Sequence, residues 1–339
     1  MNNQSPLGWL IAAGIVACGA VTSCNDSEDE ISRDAGPEET NGGMDSGKLK
    51  DGGGIDSSVA ATDAALDADG SPATPTAWLV PFLRRTPSPA VRLTNCSNVT
   101  ITGKQFVDVA GNAIVIENCD NVTITENDFS NNVGAVYVLN STNVKVTWNR
   151  YQNIGNGTIG GGRSNFVQFN KSVGGTIARN KGIGGNTEDI VSVYQSGGPD
   201  AAHPLLIEYN AFEGTTWTSS SGSGLMLGDS GGAHIVARFN TFLTPGQVGI
   251  GVPGGTDIHV TDNVFYGAAR ASANVGVYVW NQSAGACASI EVARNQAKWF
   301  RADGVENPYW NAGNCGAVAG ESTNLWSAPV DPKALHVVL

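Results

Sequence analysis

A short pattern that contains an asparagine recurs along most of this chain. Alternating residues precede the asparagine, and in most copies an aromatic residue follows it two positions later, as in 122–129 and 144–151. Successive asparagines are 22, 31, 30, 30, 23 and 32 residues apart; they are Asn127, Asn149, Asn180, Asn210, Asn240, Asn263 and Asn295. A repeat of 22–23 residues with occasional insertions predicts a solenoid in which every repeat forms one coil.

A second short strand follows in every repeat, for example at 135–139 and 190–194. Its alternate residues are apolar, and they can be buried only if each coil stacks on its neighbours about 4.8 Å away. Helical periodicity is nearly absent. The sequence therefore predicts an all-β protein, a parallel β-helix, whose asparagines form an internal ladder in which each amide bonds the next.

These repeats, from about residue 91 to 295, resemble the right-handed parallel β-helix (pectin-lyase-like) superfamily. The resemblance covers about 60% of the chain and implies a single-stranded right-handed solenoid. Members of that superfamily include polysaccharide lyases, hydrolases, epimerases and surface adhesins. The fold alone does not choose among these activities.

The first 76 residues do not carry the repeat. An apolar run at 7–21 suits the core of a signal peptide and ends near Cys24 in a stretch that resembles a bacterial lipobox. We therefore predict a signal peptide over 1–24 with acylation of Cys24, and ordinary secretion is the alternative. Residues 25–76 have 13 acidic and three basic residues and no aromatic one, which predicts a disordered acidic linker.

The remaining residues, 77–339, are predicted to form the β-helix with a cap at each end; Trp299, Trp310 and Trp326 are assigned to the C-terminal cap. The whole chain has a net charge of −12, but most of it belongs to the linker, and a nearly neutral folded part argues against nucleic-acid binding. We expect a monomer that is exported, either as a cell-envelope lipoprotein or to the extracellular space. Membrane contact would be through the lipid anchor only.

Four cysteines fall within the repeats or just after them. Cys96 and Cys119 are one coil apart in closely similar local sequence, and stacked strands bring Cα atoms within disulfide range. Cys287 and Cys315 are the other predicted pair, at the C-terminal end. Free stacked thiols are the alternative for the first pair.

Insertions into the short coil indicate where a site would lie. They fall on both sides of the second strand, at 151–163, 197–204, 211–223, 264–274 and 282–289. Loops that wall one sheet in this way form a groove. Four aromatic residues point outward from that sheet and are predicted to stack on sugar rings: Tyr137, Tyr194, Tyr278 and Trp280. The alternative is that they cover the sheet beneath the loops.

A set of charged residues near the same sheet is the candidate catalytic group. Glu188 and Asp189 are predicted to hold a cation, calcium being the expected one, and Arg163 or Lys171 to act as the base of an elimination reaction. Asp229 completes the set. The alternative for Lys171 and Asp229 is that they are corner residues of the coils.

Hydrolysis fits the same residues less well. Residues 186–189 resemble the Asn-Thr-Asp turn of β-helix polygalacturonases, but six strand positions separate Asp189 from Asp229, roughly 20 Å. Glycosidase carboxylates lie about 5–9.5 Å apart. On the first strand of each coil, Lys145, Glu208, Arg238, His259 and Glu291 are predicted to share one outward column. Glu208 and Arg238 are expected to pair, and His259 to be an ordinary surface residue.

The predicted function is an exported β-helix protein that binds a polysaccharide. If it is an enzyme, β-elimination of a uronate glycan is the favoured reaction. A non-catalytic surface adhesin or scaffold is the alternative, and a glycoside hydrolase is a weaker one.

Overall fold

The computed structural model describes residues 88–155, 164–214 and 222–339. The signal peptide, Cys24, the acidic linker and Arg163 lie outside the described residues. Within them, 26 strands form three sheets in which neighbouring strands pair in parallel, and successive strands of each sheet come from successive coils. This is the predicted parallel β-helix. None of the described helices is long and apolar enough to span a membrane.

Each full coil contributes one strand to each sheet. Sheet 1 consists of Val91–Thr94, Asn112–Glu117, Gly134–Leu139, Val167–Asn170, Asp189–Tyr194, Ser223–Asp229, Val248–Val252, Val275–Val279 and Tyr309–Asn311. Sheet 2 consists of Ser97–Thr102, Asp120–Thr125, Thr142–Thr147, Val173–Ala178, Leu205–Glu208, Ala233–Arg238, Gly255–Thr261 and Cys287–Ala293. Sheet 3 consists of Gln105–Val107, Asp128–Ser130, Arg150–Ile154, Lys181–Gly185, Ala211–Glu213, Thr241–Leu243, Val264–Gly267, Gln296–Trp299 and Leu325–Trp326.

The third sheet was not predicted. The sequence pattern suggested one strand running through the asparagine to the aromatic residue, but the strand of sheet 2 ends before the asparagine. The residue preceding it takes a left-handed conformation, as at Glu126, where φ is 56°, and Asp262, where φ is 58°. That single residue turns the chain, and the aromatic residue lies in a separate strand.

The apolar columns have the predicted register. In sheet 1, Ile114 pairs with Val136, Val136 with Val167, and Val167 with Val191. All of these side chains are at most 1% exposed and belong to one hydrophobic core that runs along the inside of the coils. Each apolar face is therefore buried by the neighbouring coils, as a solenoid requires.

The asparagine ladder is continuous. Each side-chain oxygen accepts hydrogen bonds from the backbone N–H and the amide of the asparagine one coil before it, at 2.8–3.1 Å from Asn127 to Asn324. The members from Asn127 to Asn295 are 0–1% exposed. The structure adds Asn324 as a last member that the repeat spacing had not indicated.

A second polar ladder lies at the corner between sheets 1 and 2. Cys119 N donates to Ser141 Oγ, Ser141 N to Ser172 Oγ, and Ser172 N to Ser196 Oγ. Cys96 is the first member of this column and is joined to Cys119 in a disulfide; Cys287 and Cys315 form the second disulfide. Both predicted pairs are thus bonded.

The C-terminal end of the fold differs from the predicted cap, whereas the predicted N-terminal cap, at 78–83, lies outside the described residues. Trp299 is not a lid but a buried core residue, 0% exposed, that packs edge-on against Phe265. Trp326 stacks on Tyr309 with ring centroids 5.0 Å apart, close to the last rungs. Trp310 points outward and is 39% exposed, so its assignment to the cap is wrong.

Candidate functional site

The outward face of sheet 1 has two columns of side chains that run along the coils. The register places Tyr137, Gln168, Ser192, Met226, Gly251, Tyr278 and Trp310 in the first column. It places Glu117, Leu139, Asn170, Tyr194 and Asp229 in the second. The predicted stacking residues therefore do lie on one face, and their environments decide what each can contact.

Tyr278 is buried rather than presented to a ligand. Its ring is 7% exposed and packs with Val248, Val275 and Met226 in a small cluster separate from the main core. The neighbouring rung leaves room for it, because a Cβ on Gly251 would lie 2.7 Å from the ring. The structure thus gives Tyr278 the covering role, and its ring faces are not available to a sugar.

The Tyr278 hydroxyl reports on the electrostatics of this face. It donates to Met226 Sδ at 3.2 Å and accepts from Gln282 Nε2 at 3.1 Å. Burial, and then the charges of Asp189 and Asp229, raise the pKa of Tyr278. Negative charge is therefore unfavourable at the centre of the face, through desolvation and through like-charge repulsion.

Two tryptophans continue the face beyond Tyr278. Trp280 is half-buried, and its ring meets that of Trp310 edge-on at a centroid distance of 5.7 Å. The sequence analysis missed Trp310 as a member of this face because no repeat was identified after 295. The spacing from Tyr278, which pairs with Trp310 in the sheet, is the signal that would have found it.

Asn170 has unused hydrogen-bonding capacity on the same face. Its side chain is 8% exposed, and Nδ2 donates to the Tyr137 hydroxyl at 2.9 Å. Oδ1 is buried and has no hydrogen-bond partner among the described residues. Turning the amide over would exchange the atom that is left without a partner and would not remove the deficit. Such a group is satisfied by water or by a polar ligand.

Asp229 is not in the corner column with Lys171, where the spacing of the repeats had placed it. Gly228, with φ of 73°, introduces an extra residue, and the register shifts so that Asp229 pairs with Tyr194 rather than with Gln195. Burial raises the pKa of Asp229, an effect opposed in part by a hydrogen bond from Ser230 Oγ at 3.3 Å. It is therefore a residue of the face and not of the corner.

Lys171 matches its alternative description as a corner residue. It is exposed, its φ is 49°, and its backbone N–H donates to the Tyr194 carbonyl at 3.1 Å. Gln195 repeats this arrangement one coil later, with φ of 47° and a bond to the Asp229 carbonyl at 2.9 Å. The corner conformation thus accounts for the position of Lys171 without a catalytic role.

The predicted catalytic group is spread over the sheet. Asp189 begins its strand and is 7% exposed, whereas Lys171 follows the end of the strand before it. Asp189 pairs with Ser223, so Asp229 lies at the other end of its own strand. In the part of the chain that the structure describes, no three His, Cys, Asp or Glu side chains are grouped to hold a metal ion.

The charged residues of sheet 2 form pairs, but not in one column. Glu208 and Arg238 are in register and bond at 2.7 Å, as predicted. His259 belongs to the neighbouring column, which includes Val236 and Glu291, so the single column predicted from the sequence is wrong.

His259 is not an isolated surface residue. Its Nδ1 lies 2.6 Å from Glu291 Oε2 and its Nε2 lies 2.9 Å from Asp257 Oδ1, while Asp257 Oδ2 lies 2.6 Å from His234 Nδ1. Burial lowers the pKa of His259, but the two carboxylates outweigh that effect and raise it overall. Carboxylates at both nitrogens favour the protonated form of the imidazole, and that form has no lone pair for base catalysis.

Comparisons with known proteins agree with the architecture. A family model described as a right handed beta helix region matches residues 89–265. No curated protein matches the sequence. A crystal structure of PfbA, a surface adhesin of Streptococcus pneumoniae, matches with 13% sequence identity and a TM-score of 0.36, covering 63% of this chain and 70% of that one. A TM-score of this size supports no transfer of a site or an activity.

Proposed function

We propose that this protein, which belongs to the right-handed β-helix family, binds a neutral glycan along the outward face of sheet 1. Half-buried rings there lie next to amide groups, as in Tyr137 beside Asn170. Sugars present apolar C–H faces and many hydroxyl groups, so rings and amides together are the groups that recognise them. The pairing of ring and amide on this face, with Asn170 Nδ2 bonded to the Tyr137 hydroxyl at 2.9 Å, is the observation on which the proposal mainly rests.

The charges favour a neutral glycan over a uronate. Asp189 and Asp229 lie close enough to Tyr278 for their charges to act on it. Negative charge on these two carboxylates repels the carboxylate of a uronate and does not repel a neutral sugar. We propose, in addition, that the protein acts outside the cytoplasm, since two disulfides are typical of an oxidising compartment.

Binding is tested with the full-length protein and a panel of soluble polysaccharides in affinity electrophoresis. Tyr194→Ala and Trp280→Ala should each weaken binding of a neutral glycan about tenfold, because each removes a ring on which a sugar can stack. Tyr266→Ala, which removes a half-buried ring on sheet 3, is the matched control and should bind as the wild type does. Equal affinity in all four proteins, or binding of uronates only, would overturn the proposal.

Cleavage is a second outcome of the same panel. Elimination on a uronate produces unsaturated ends that absorb in the ultraviolet, with or without added calcium. A signal that disappears in Glu188→Ala and Asp189→Ala would replace the binding proposal with a lyase. A signal that survives both substitutions would exclude these residues from the reaction. Glycan binding without product supports the non-catalytic adhesin or scaffold.

A further inference from the structure

A row of large side chains runs along the outside of the corner between sheets 2 and 3. Trp148, Arg179, Tyr209 and Phe239 occupy the position just before the ladder asparagine in four successive coils. The three aromatic residues are 56%, 44% and 41% exposed. This corner does not border sheet 1, so the row is separate from the proposed glycan face.

These residues adopt a backbone conformation that is costly for them. Trp148, Arg179 and Tyr209 have φ values of 58°, 57° and 56°, in the left-handed region. For a bulky residue this costs about 1–3 kcal/mol. Gly103 and Asp262 occupy the same position in other coils, and such residues adopt it with less strain. The turn itself therefore does not require aromatic residues at this corner.

The aromatic residues hold the guanidinium of Arg179 in a fixed plane. Its central carbon lies 5.1 Å from the centroid of the Trp148 ring and 4.8 Å from that of the Tyr209 ring. This double stacking orders the side chain before any ligand arrives, which reduces the entropy that binding would cost.

Arg179 and Lys181 are not matched by acids in the described part of the chain. Arg150, Arg238 and Arg294 each bond a carboxylate. Arg179 has no ion pair or side-chain hydrogen bond to any described residue, and Lys181 Nζ donates only to the Val338 carbonyl, at 3.1 Å. Two cations of the same coil therefore form no ion pair with any described residue.

A cavity of about 320 Å³ lies beside these two cations. Its walls include Trp148, Arg150, Arg179 and Lys181 on one side and Val338 and Leu339 on the other. The C-terminal wall is held in place by Glu213, which accepts from Val337 N at 3.1 Å and contacts His336 Nδ1 at 3.0 Å. The volume is at the lower end of the range for small-molecule sites.

We infer that this cavity binds a saccharide unit that carries a carboxylate or sulfate group. The planar guanidinium of Arg179 suits an oxyanion with two hydrogen bonds, and Lys181 adds a second charge. The indole of Trp148 and the side chains of Val338 and Leu339 suit the apolar face of a sugar ring. The site is independent of the neutral glycan proposed for sheet 1.

The test uses the full-length protein and calorimetric titration with glucose 6-sulfate, galacturonic acid, glucose and sodium sulfate. At least one of the two acidic sugars should bind, and more weakly as salt is added, whereas glucose should not bind in the same range. Arg179→Gln and Lys181→Met should each weaken that binding about tenfold or more, because each removes a charged donor. Lys104→Met removes an exposed cation from the same corner in an earlier coil and should leave binding unchanged.

Three results separate this site from a purely structural stack. Arg179→Lys keeps the charge but loses the planar fork, so it should bind with intermediate affinity. Arg179→Gln also disturbs the stack of Arg179 between Trp148 and Tyr209, whereas Lys181 lies outside that stack. Circular dichroism shows whether each variant is folded. Wild-type affinity in folded Lys181→Met, binding of glucose, or sodium sulfate binding as tightly as glucose 6-sulfate would overturn the inference.

Discussion

At the scale of the residue, hydrogen-bond satisfaction explains why asparagine is used at every coil. Asn210 Oδ1 accepts from the backbone N–H and the amide of Asn180, and its own amide donates to the Ile177 carbonyl and to Asn240 Oδ1, at 2.9–3.0 Å. The corner is fully buried, so no water can replace these bonds. Aspartate has no amide N–H groups to donate these bonds, and the serine side chain is too short to reach the same partners.

Asn210→Ala should therefore destabilise the fold by about 3 kcal/mol or more, since it leaves several buried groups without partners. Urea denaturation followed by circular dichroism measures this. Gln105→Ala removes an exposed amide from sheet 3 and should change stability little. Equal effects of the two substitutions would mean that the ladder does not contribute as its geometry implies.

His259 gives the stability a dependence on pH. Its pKa is raised above the ordinary value of 6.5 in the folded state, so its contribution is complete below that value and is lost as the pH rises through the folded pKa. The pKa of Asp257 is lowered by its hydrogen bonds to His234 and His259, and its contribution is lost only in acid, below the ordinary value.

The difference in unfolding free energy between the wild type and His259→Gln should hence be larger at about pH 5.5 than at about pH 8.5. Urea denaturation at both pH values measures the difference. Glu291→Gln removes the charge of one of the two carboxylates and should shrink the same pH effect. Parallel pH profiles for the wild type and His259→Gln would contradict the assignment.

At the scale of the element, columns of equivalent side chains hold successive strands together. A column can lack its usual side chain in one coil when a residue from elsewhere in the chain packs nearby. The inward aromatic column of sheet 3 includes Tyr151 and Phe212 but has Gly182 between them. The Tyr151 ring extends over Gly182, and Phe166, from the chain leading into sheet 1, packs beside it, with its ring centroid 4.7 Å from that of Tyr151 and 5.9 Å from that of Phe212. A Cβ on Gly182 would lie 1.8 Å from the Tyr151 ring, so the rung accepts only glycine as it stands.

A double-mutant cycle tests this packing. Phe166→Ala should cost about 3–5 kcal/mol because it opens a cavity, and Gly182→Phe alone should be destabilising because the core is overpacked. The double variant should be more stable than the sum of the two effects predicts, by about 1 kcal/mol or more, since the space left by Phe166 lets the Tyr151 ring move away from the new side chain at 182. Simple additivity in urea denaturation would count against the proposed packing.

The features that sequence reasoning predicted are those that recur once per coil. The inward pairs such as Val136 with Val167, the asparagine ladder and the cysteine pairs depend only on spacing. The third sheet was not predicted because a single residue in the left-handed conformation ends the strand of sheet 2. This residue is often not glycine, so the amino-acid composition gives no sign of the turn. The position of Asp229 was missed because the bulge at Gly228 adds a residue that spacing alone does not reveal.

The His259 network was within reach of the sequence. Asp257 and His259 are two positions apart in one strand, and alternation places such residues on the same side of a sheet. Register then aligns Asp257 with His234 one coil earlier. The burial of Tyr278 could not be predicted from the sequence. It depends on the space left by Gly251 and on how far the Tyr278 ring extends over the neighbouring coil.

At the scale of the whole molecule, each coil contacts only its neighbours, so the ends are the weak points of the solenoid. In the described part of the chain, two disulfides lie there: one joins Cys96 in the first described coil to Cys119, and the other joins Cys287 to Cys315 near the last rungs. Loops of 23 and 28 residues are closed by these bonds, and each closure stabilises the fold by about 3–4 kcal/mol in the chain-entropy description.

Reduction of both disulfides should speed amide hydrogen exchange at the ends much more than in the middle. We expect faster exchange at 91–119 and at 287–326, and little change at 142–261, because opening an end does not break central contacts. Mass spectrometry of the oxidised and reduced protein measures this. Uniform acceleration along the chain would show that the solenoid opens as one cooperative unit instead.

The pairing of Asp120 with Thr142 marks one complete 22-residue coil, and it has an evolutionary consequence. A tandem duplication of 120–141 would insert one more rung of about 4.8 Å into every sheet and would leave both termini of the solenoid as they are. A gene for such a protein can therefore change the span of its product in whole-rung steps. Recombination between repeats, rather than point substitution, is then the natural route to a longer or shorter descendant.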